Sequence, residues 1–360
     1  MRFLFLLIAI FYTTSSWGNK CKTTNDTKEK EMRLVFKTFQ PRELNLKLSP
    51  FKDCSMDGPL LIDNLFQENN DLNTIEYRNF NRHSNHLSLF INNDRSKIER
   101  IRTSAIEINE SKALPPRVRK YISNKKLILV GEIHGNEESP KFFMKIVNSF
   151  IGKNKKILVA LEIPILSQEN INAYLKTRNE NYLRNDFFFN RKDQDGRSSK
   201  AMVNLLRSLS RIPGIEVVCM DEQNVDAQFR DTLMAKNISE KFKLGFDHIL
   251  VYAGNIHSSI VIGAPWDSSF RPLGFELIQI LGFSSQSILN IRFRHEILNS
   301  WMCMGHDNIC KVYLGHSVKT DYSEAVPWRS YFFEEDEIVD GYKSTLFIRE
   351  TKASNPYVFQ

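Results

Sequence analysis

Leu127-Ile-Leu-Val-Gly-Glu-Ile-His-Gly-Asn-Glu-Glu-Ser-Pro140 decides how the chain is read. Leu127 to Val130 is a short apolar run of the kind that fits a buried parallel strand. Gly131 breaks it, and Glu132 and His134 follow at once. Beyond Asn136 the spacing of Phe142, Phe143, Ile146 and Val147 makes one apolar helical face. The stretch therefore reads as strand, tight polar turn and helix. Open α/β sheets place their ligands at the carboxyl ends of such strands. Glu132 and His134 there suggest chemistry; the alternative is that Glu132 caps the helix and His134 is an ordinary turn residue.

Working outward, strands alternate with helices. Strands are expected at Lys126–Val130, Ile157–Glu162, Ile215–Asp221 and His248–Gly254, with two more at Ile288–Phe293 and Ser344–Ile348. Helices are expected at Pro140–Ile151, Gln168–Lys176, Ser199–Arg211, Val225–Lys243 and Leu273–Leu281. This alternation predicts an α/β fold, a mainly parallel sheet with helices on both faces. A small β-rich N-terminal region precedes it, with strands expected at Met32–Phe39, Leu44–Leu48, Leu87–Ile91 and Ile98–Ile108. Pro115-Pro116 marks the boundary, so the expected domains are 19–112 and 120–360.

Each main strand ends in polar groups: Glu132 and His134, then Glu162, then Asp221-Glu222, then Asn255 and His257. In a parallel sheet these ends share one rim. A buried carboxylate there needs a partner or a ligand. Two imidazoles with several carboxylates can do acid-base work or hold a divalent metal; each taken singly can also be a satisfied loop or cap residue. Asp193-Gln-Asp-Gly-Arg-Ser-Ser199 is a polar turn in which Ser198 or Ser199 can cap the next helix and Arg197 stands at its mouth. Arg230, Met234 and Asn237 share a helix face that would suit a polar site, although Arg230 can also pair with Asp226 on that face. No Gly-x-Ser-x-Gly elbow and no phosphate-cradling glycine loop is present.

At the N-terminus Met1-Arg2 is followed by the apolar run Phe3–Tyr12 and then Thr13-Thr-Ser-Ser-Trp-Gly18, the pattern of a secretory signal peptide over residues 1–18. Export to the periplasm or the outside, with no stable membrane anchor after cleavage, is the expectation, and it permits disulfides. Of the five cysteines, Cys303 and Cys310 can close a small ring, Cys21 and Cys54 can pair, and Cys219 reads as a buried free thiol. Net charge is +7 without a basic block; such an excess can favour anionic partners, but without an aromatic-basic motif nucleic acid is not expected, and the expected partner is a small-molecule or peptide substrate.

Gly131-Glu-Ile-His-Gly135 with Glu138, Ala160-Leu-Glu-Ile-Pro164, Gly196-Arg-Ser-Ser199, Arg230-Asp-x-x-Met-Ala-x-Asn237 and Gly254-Asn-x-His257 resemble, in order, the motifs of one superfamily. It joins erythromycin-esterase-like hydrolases, ChaN-like haem-binding uptake lipoproteins and Tiki metalloproteases. Trp301-x-Cys303, Cys310 and Thr351-Lys-Ala-Ser-Asn-Pro356 resemble its uncharacterised secreted members. The esterase branch implies a catalytic rim of Glu132, His134, Glu162 and His257, with Arg197, Ser198, Arg230 and Asn255 on the substrate. The Tiki branch implies a divalent metal (Mn, Zn or Co) on His134, Glu132 and His257. The ChaN branch implies haem, for which Tyr252, His257 or Met234 can serve as ligand. The chain lacks a lipobox and a membrane anchor, so the expectation leans to an exported hydrolase of an ester, lactone or amide bond; a haem-binding protein and a catalytically inactive effector are the alternatives.

Overall fold

The computed structural model describes residues 30–37, 41–48, 95–152, 155–191, 194–222, 225–264, 267–304, 309–316 and 321–357. The chain divides into two compact units, Met1–Glu76 and Tyr77–Gln360. In the first, β1 (Lys30–Lys37) pairs antiparallel with β2 (Pro41–Leu48). The proposed signal peptide, the Cys21–Cys54 pair and the strand at Leu87–Ile91 lie outside the described residues.

Among the described residues, the first elements of the second unit are α1 (Arg95–Ser104) and the short β3 (Ile106–Glu107). A strand over Ile98–Ile108 was expected; most of it is helix. Ile98, Ile101 and Ala105 recur at helical spacing and pack on one apolar cluster with Tyr331, Phe333 and Phe347. Then follow α2 (Pro116–Ser123), β4 (Leu127–Glu132), α3 (Glu138–Asn148), β5 (Ile157–Pro164) and α4 (Gln168–Thr177). After the short α5 (Asn181–Arg184) and α6 (Phe187–Asn190) come α7 (Lys200–Leu209), β6 (Ile215–Asp221), α8 (Ala227–Phe242) and β7 (His248–Gly254). The last elements are α9 (Leu273–Leu281), β8 (Ile288–Met304), β9 (Ile309–His316), α10 (Asp321–Ala325), β10 (Ser330–Val339) and β11 (Tyr342–Glu350).

The nine-stranded sheet has the order β3-β10-β11-β8-β4-β7-β5-β6, with β9 paired to β8. From β11 to β6 every neighbouring pair is parallel. The strand side chains alternate between two cores. Ile128, Val130, Leu161 and Tyr252 pack under helices α2, α3, α4 and α7, while Leu129, Ala160, Val251 and Ala253 pack under α8 and α9. Strands buried on both faces need near-continuous apolar runs, which is why they were legible. Each large apolar side chain fully buried here contributes about 1.5–3 kcal/mol. Among the described residues no helix is long and apolar enough to cross a membrane.

The strand β8 is longer than its parallel partners. Ile288–Ile291 pair with β4, and Ile297–Met304 continue past it to pair antiparallel with β9. This arm carries the Cys303–Cys310 disulfide between directly opposed residues. Among the described residues Cys219 is the free thiol; it is buried, and burial pushes its pKa up.

Candidate active site at the sheet's carboxyl rim

The strands β4, β7, β5 and β6 are consecutive neighbours, so their carboxyl ends form one continuous edge. There the structure brings Glu132, His134, Glu162, Arg197, Asp221, Arg230 and His257 together. Glu162 is the centre. Its Oε2 accepts the backbone N–H of Gly254 at 2.8 Å and lies 3.6 Å from His134 Nε2. Its Oε1 accepts from Arg230 Nη2 at 2.9 Å and lies 3.7 Å from His257 Nε2. The two imidazoles therefore approach opposite oxygens of one carboxylate.

Each imidazole has its own carboxylate behind it. His134 Nδ1 is 2.8 Å from Glu132 Oε1, and the other Glu132 oxygen accepts the Tyr252 hydroxyl. His257 Nδ1 is 2.8 and 2.9 Å from the two oxygens of Asp231. Nδ1 of His257 must carry a proton to bond Asp231. Its Nε2 is 3.2 Å from Arg230 Nη1, a group that can only donate, so Nε2 acts there as an acceptor. This contact assigns a neutral Nδ1–H tautomer to His257.

The guanidiniums complete the layer. Arg230 Nε bonds Asp221 Oδ1 at 2.7 Å, and Arg197 Nη1 bonds Asp221 Oδ2 at 2.8 Å. Asp195 Oδ2 accepts from Arg197 Nη2 at 2.8 Å, while Asp195 Oδ1 accepts the Arg197 backbone N–H at 2.9 Å. Asp221 and Glu162 have side chains only 2% and 3% exposed, whereas His134 and Arg230 are 27% and 25% exposed. Carboxylates form the floor, and the donors above it face solvent. That order suits a group that gains negative charge during reaction.

Burial alone would push the His134 pKa down, but the Glu132 and Glu162 carboxylates outweigh it and raise it to about 9. Burial opposes the His257 proton too, yet Asp231 and Glu162 raise its pKa, against Arg230. Burial would raise Glu162; the facing His257, His134, Arg230 and Arg197 instead hold it well below the usual carboxylate range. Asp195 is likewise brought down to about 2 by Arg197, against its burial.

Local backbone fixes these positions. Gly135 has φ +80°, and a Cβ there would fall 1.9 Å from the Trp301 carbonyl oxygen. The Gly135 carbonyl accepts from the Trp301 and Ser354 N–H groups at 2.9 and 2.8 Å. Trp301 Nε1 donates to Gln194 O at 2.8 Å, which ties the β8 arm to the loop bearing Arg197. Residues 352–356 close the opposite side: Glu137 N donates to Lys352 O, and Lys200 N to Asn355 O.

Other expected site residues fall elsewhere. Asn255 bonds the Phe293 backbone twice, at 2.9 and 3.0 Å, and so links β7 to β8 without presenting its amide to the rim. Ser198 is fully buried and donates to Asp195 O, while Ser199 is the cap of α7. Arg230 turns to Asp221 and Glu162 where Asp226 was the alternative. Glu132 does not cap α3; Asn136 Oδ1 accepts the Ser139 N–H there. The reading from sequence gave Asp231 and Asp195 no role. Both stood in the quoted motifs, directly before Thr232 and Gly196, and only the packing of helix and loop shows what they hold.

The rim does not fit the expected metal set. Glu132 is engaged by His134 and Tyr252, and His257 by Asp231 and the Arg230 guanidinium; among the described residues no group of three or more His, Cys, Asp or Glu has the arrangement to hold a metal ion. Of the three candidate haem ligands, His257 stands at the rim and the other two are core residues. Tyr252 lies in the core on one face of the sheet and Met234 in the core on the other.

No protein-family model matches the chain, and no curated protein matches it. Solved structures do. A succinoglycan biosynthesis protein aligns with TM-score 0.51 and 11% identity over 72% of this chain and 98% of its own. A protein from Bacillus cereus aligns with TM-score 0.54 and 12% identity over 74% and 100%. An erythromycin esterase mutant in its open conformation aligns with TM-score 0.44 and 10% identity over 68% and 95%. At such identities what is shared with the first two is the fold.

Proposed function

We propose that the rim is the active site of a hydrolase that activates water against an ester, lactone or amide carbonyl. The observation that carries this is the placing of His134 Nε2 and His257 Nε2 at 3.6 and 3.7 Å from the two oxygens of Glu162, each imidazole backed by its own carboxylate. In this reading Arg230 Nη1 turns from His257 Nε2 to the substrate oxygen, and His257, held by Asp231, takes a proton from water through the Nε2 so released. The resulting hydroxide adds to the carbonyl carbon. Arg230 and Arg197 stabilise the oxyanion, with Glu162 and Asp221 fixing both guanidiniums. His134, whose raised pKa keeps it protonated at neutral pH, delivers its proton to the leaving oxygen or nitrogen. Glu132 and Tyr252 keep that ring in place. We further propose that the protein is exported, as its N-terminal sequence suggests.

The test is turnover of a panel of aryl esters, lactones and anilides by purified protein, with and without added Mn, Zn or Co. His257→Gln should lower kcat by ~10²–10⁴-fold while the fold is kept. No turnover on the panel, or an unchanged rate in the variant, would overturn the reading.

A further inference from the structure

A second cluster of charge shares none of the rim's ion pairs. On β8, Ile291 and Phe293 belong to the larger core, so Arg292 and Arg294 project from the other face of the sheet. Arg292 is 1% exposed and Arg294 is 4% exposed. Arg292 Nη1 at 2.6 Å and Arg294 Nη2 at 3.1 Å converge on one atom, Asp340 Oδ2. Arg292 Nη2 and Arg294 Nε are buried without a hydrogen-bond partner. Of the other carboxylates of this face, Glu335 gives its Oε1 to Tyr322 and Thr345, and Glu296 pairs with Arg349.

The imbalance is one of donors over acceptors. Each guanidinium offers five N–H donors, and the two share a single oxygen. Buried charges persist when they are paired and hydrogen-bonded, and an orphaned donor on a buried cation is costly. Aromatic faces supply part of the compensation: the Arg294 guanidinium lies 4.5 Å from the Tyr322 ring centre and that of Arg292 lies 5.4 Å from Tyr342. They do not accept the orphaned N–H groups in line. Burial, together with the neighbouring Arg294, also lowers the Arg292 pKa to about 10. Asp340, in the turn between β10 and β11, has a side chain 27% exposed and so connects the cluster to solvent.

We propose that a small oxyanion of the phosphate, sulfate or simple carboxylate class binds between Arg292 and Arg294 beside Asp340, accepting from Nη2 and Nε. Guanidinium forks match the geometry of such anions. The depth of Arg292 restricts the ligand to a free small ion. This site is independent of the hydrolase reading, and its test needs no substrate.

The experiment follows thermal unfolding of the full chain against inorganic phosphate, then sulfate and acetate, with chloride at matched ionic strength as control. A ligand that binds only the folded state raises the midpoint saturably. Wild type should show this with at least one of the three oxyanions and not with chloride. Asp340→Asn removes the competing carboxylate at a backbone position, φ +49°, that Asn tolerates. It should reach the same effect at roughly tenfold lower anion concentration. Arg294→Met should lose the effect. A midpoint that follows ionic strength alone, a response that survives in a folded Arg294→Met, or no tightening in Asp340→Asn would each overturn the proposal.

Discussion

His257 Nδ1 and Leu273 N share one acceptor: Asp231 Oδ2 lies 2.8 Å from each. A single carboxylate on α8 thus sets the imidazole ring and anchors the first residue of α9. Asp231 is 1% exposed, so neither bond is exchanged for water at low cost.

Asp231→Asn is therefore expected to separate catalysis from folding. An amide can keep the bond to Leu273 N while presenting the wrong group to His257 in one of its two orientations. The expected loss in kcat is ~10²–10⁴-fold, with KM little changed and the circular dichroism spectrum retained. Steady-state kinetics on whichever substrate the panel identifies would check it; an equal fall in kcat/KM through KM alone would assign Asp231 to binding.

Stability should depend on pH through His134. Its folded pKa of about 9 lies above its ordinary 6.5, so the folded state binds the proton more tightly. The stabilisation is fully present below about pH 6.5 and is lost as pH rises through about 9. Urea unfolding of wild type and His134→Gln across pH 6–10 should show the gap between them closing with rising pH. A gap that widens would reverse the sign and with it the protonation state assigned above. Glu162 works oppositely: its lowered pKa gives stability that is present above its ordinary 4.5 and lost as pH falls through the folded value.

Glu162→Gln should cost stability as well as activity. It removes the charge that faces two guanidiniums and two imidazoles and leaves Arg230 to Asp221, and Arg197 to Asp221 and Asp195. Breaking a buried pair from one side costs on the order of 3 kcal/mol. Equilibrium denaturation would measure it, and a loss below about 0.5 kcal/mol would show that Asp221 and Asp195 suffice.

Gly135→Ala should be poorly tolerated for two separate reasons, the positive φ and the close approach of the Trp301 backbone. The arm of β8 would have to move away, taking with it the bonds from Ser300 and Trp301 to the His134 loop. A lowered unfolding midpoint and faster amide exchange at Trp301 are the expected results.

The central strands could be read from the sequence because strands buried on both faces leave an apolar signature that few other structures share. The segments Ile215–Asp221 and His248–Gly254 stand as expected, residue for residue. The flank was harder. In β10 the apolar residues of Tyr331–Phe333 give way to an acidic, half-exposed continuation, which lacks a strand period. In α1 the apolar Ile98 and Ile101 are only two, too few to set a helical period apart from the strand period expected over Ile98–Ile108. At the rim, strand-end polar residues were visible by position alone, but partners were not. Asn255 looked like its neighbours Gly254 and His257. Its different fate depends on Gly131, where a Cβ would stand 2.4 Å from Asn255 Oδ1 and bar the amide from reaching Phe293. Asp231 was hidden for the opposite reason: its role arises from where a helix packs.

The strap formed by residues 352–356 has a consequence for the order of assembly. Asn136 pairs with Ala353 and Ser199 with Pro356, so both rim loops take their final hydrogen bonds from a segment made more than a hundred residues later. During synthesis the sheet's central strands can form before that segment exists, and the loops bearing His134 and Arg197 then lack their last tether. Closing contacts so distant in sequence carries a late entropic cost. A nascent chain, and one cut short before residue 352, thus lacks the backbone bonds that this segment gives Asn136, Glu137 and Lys200.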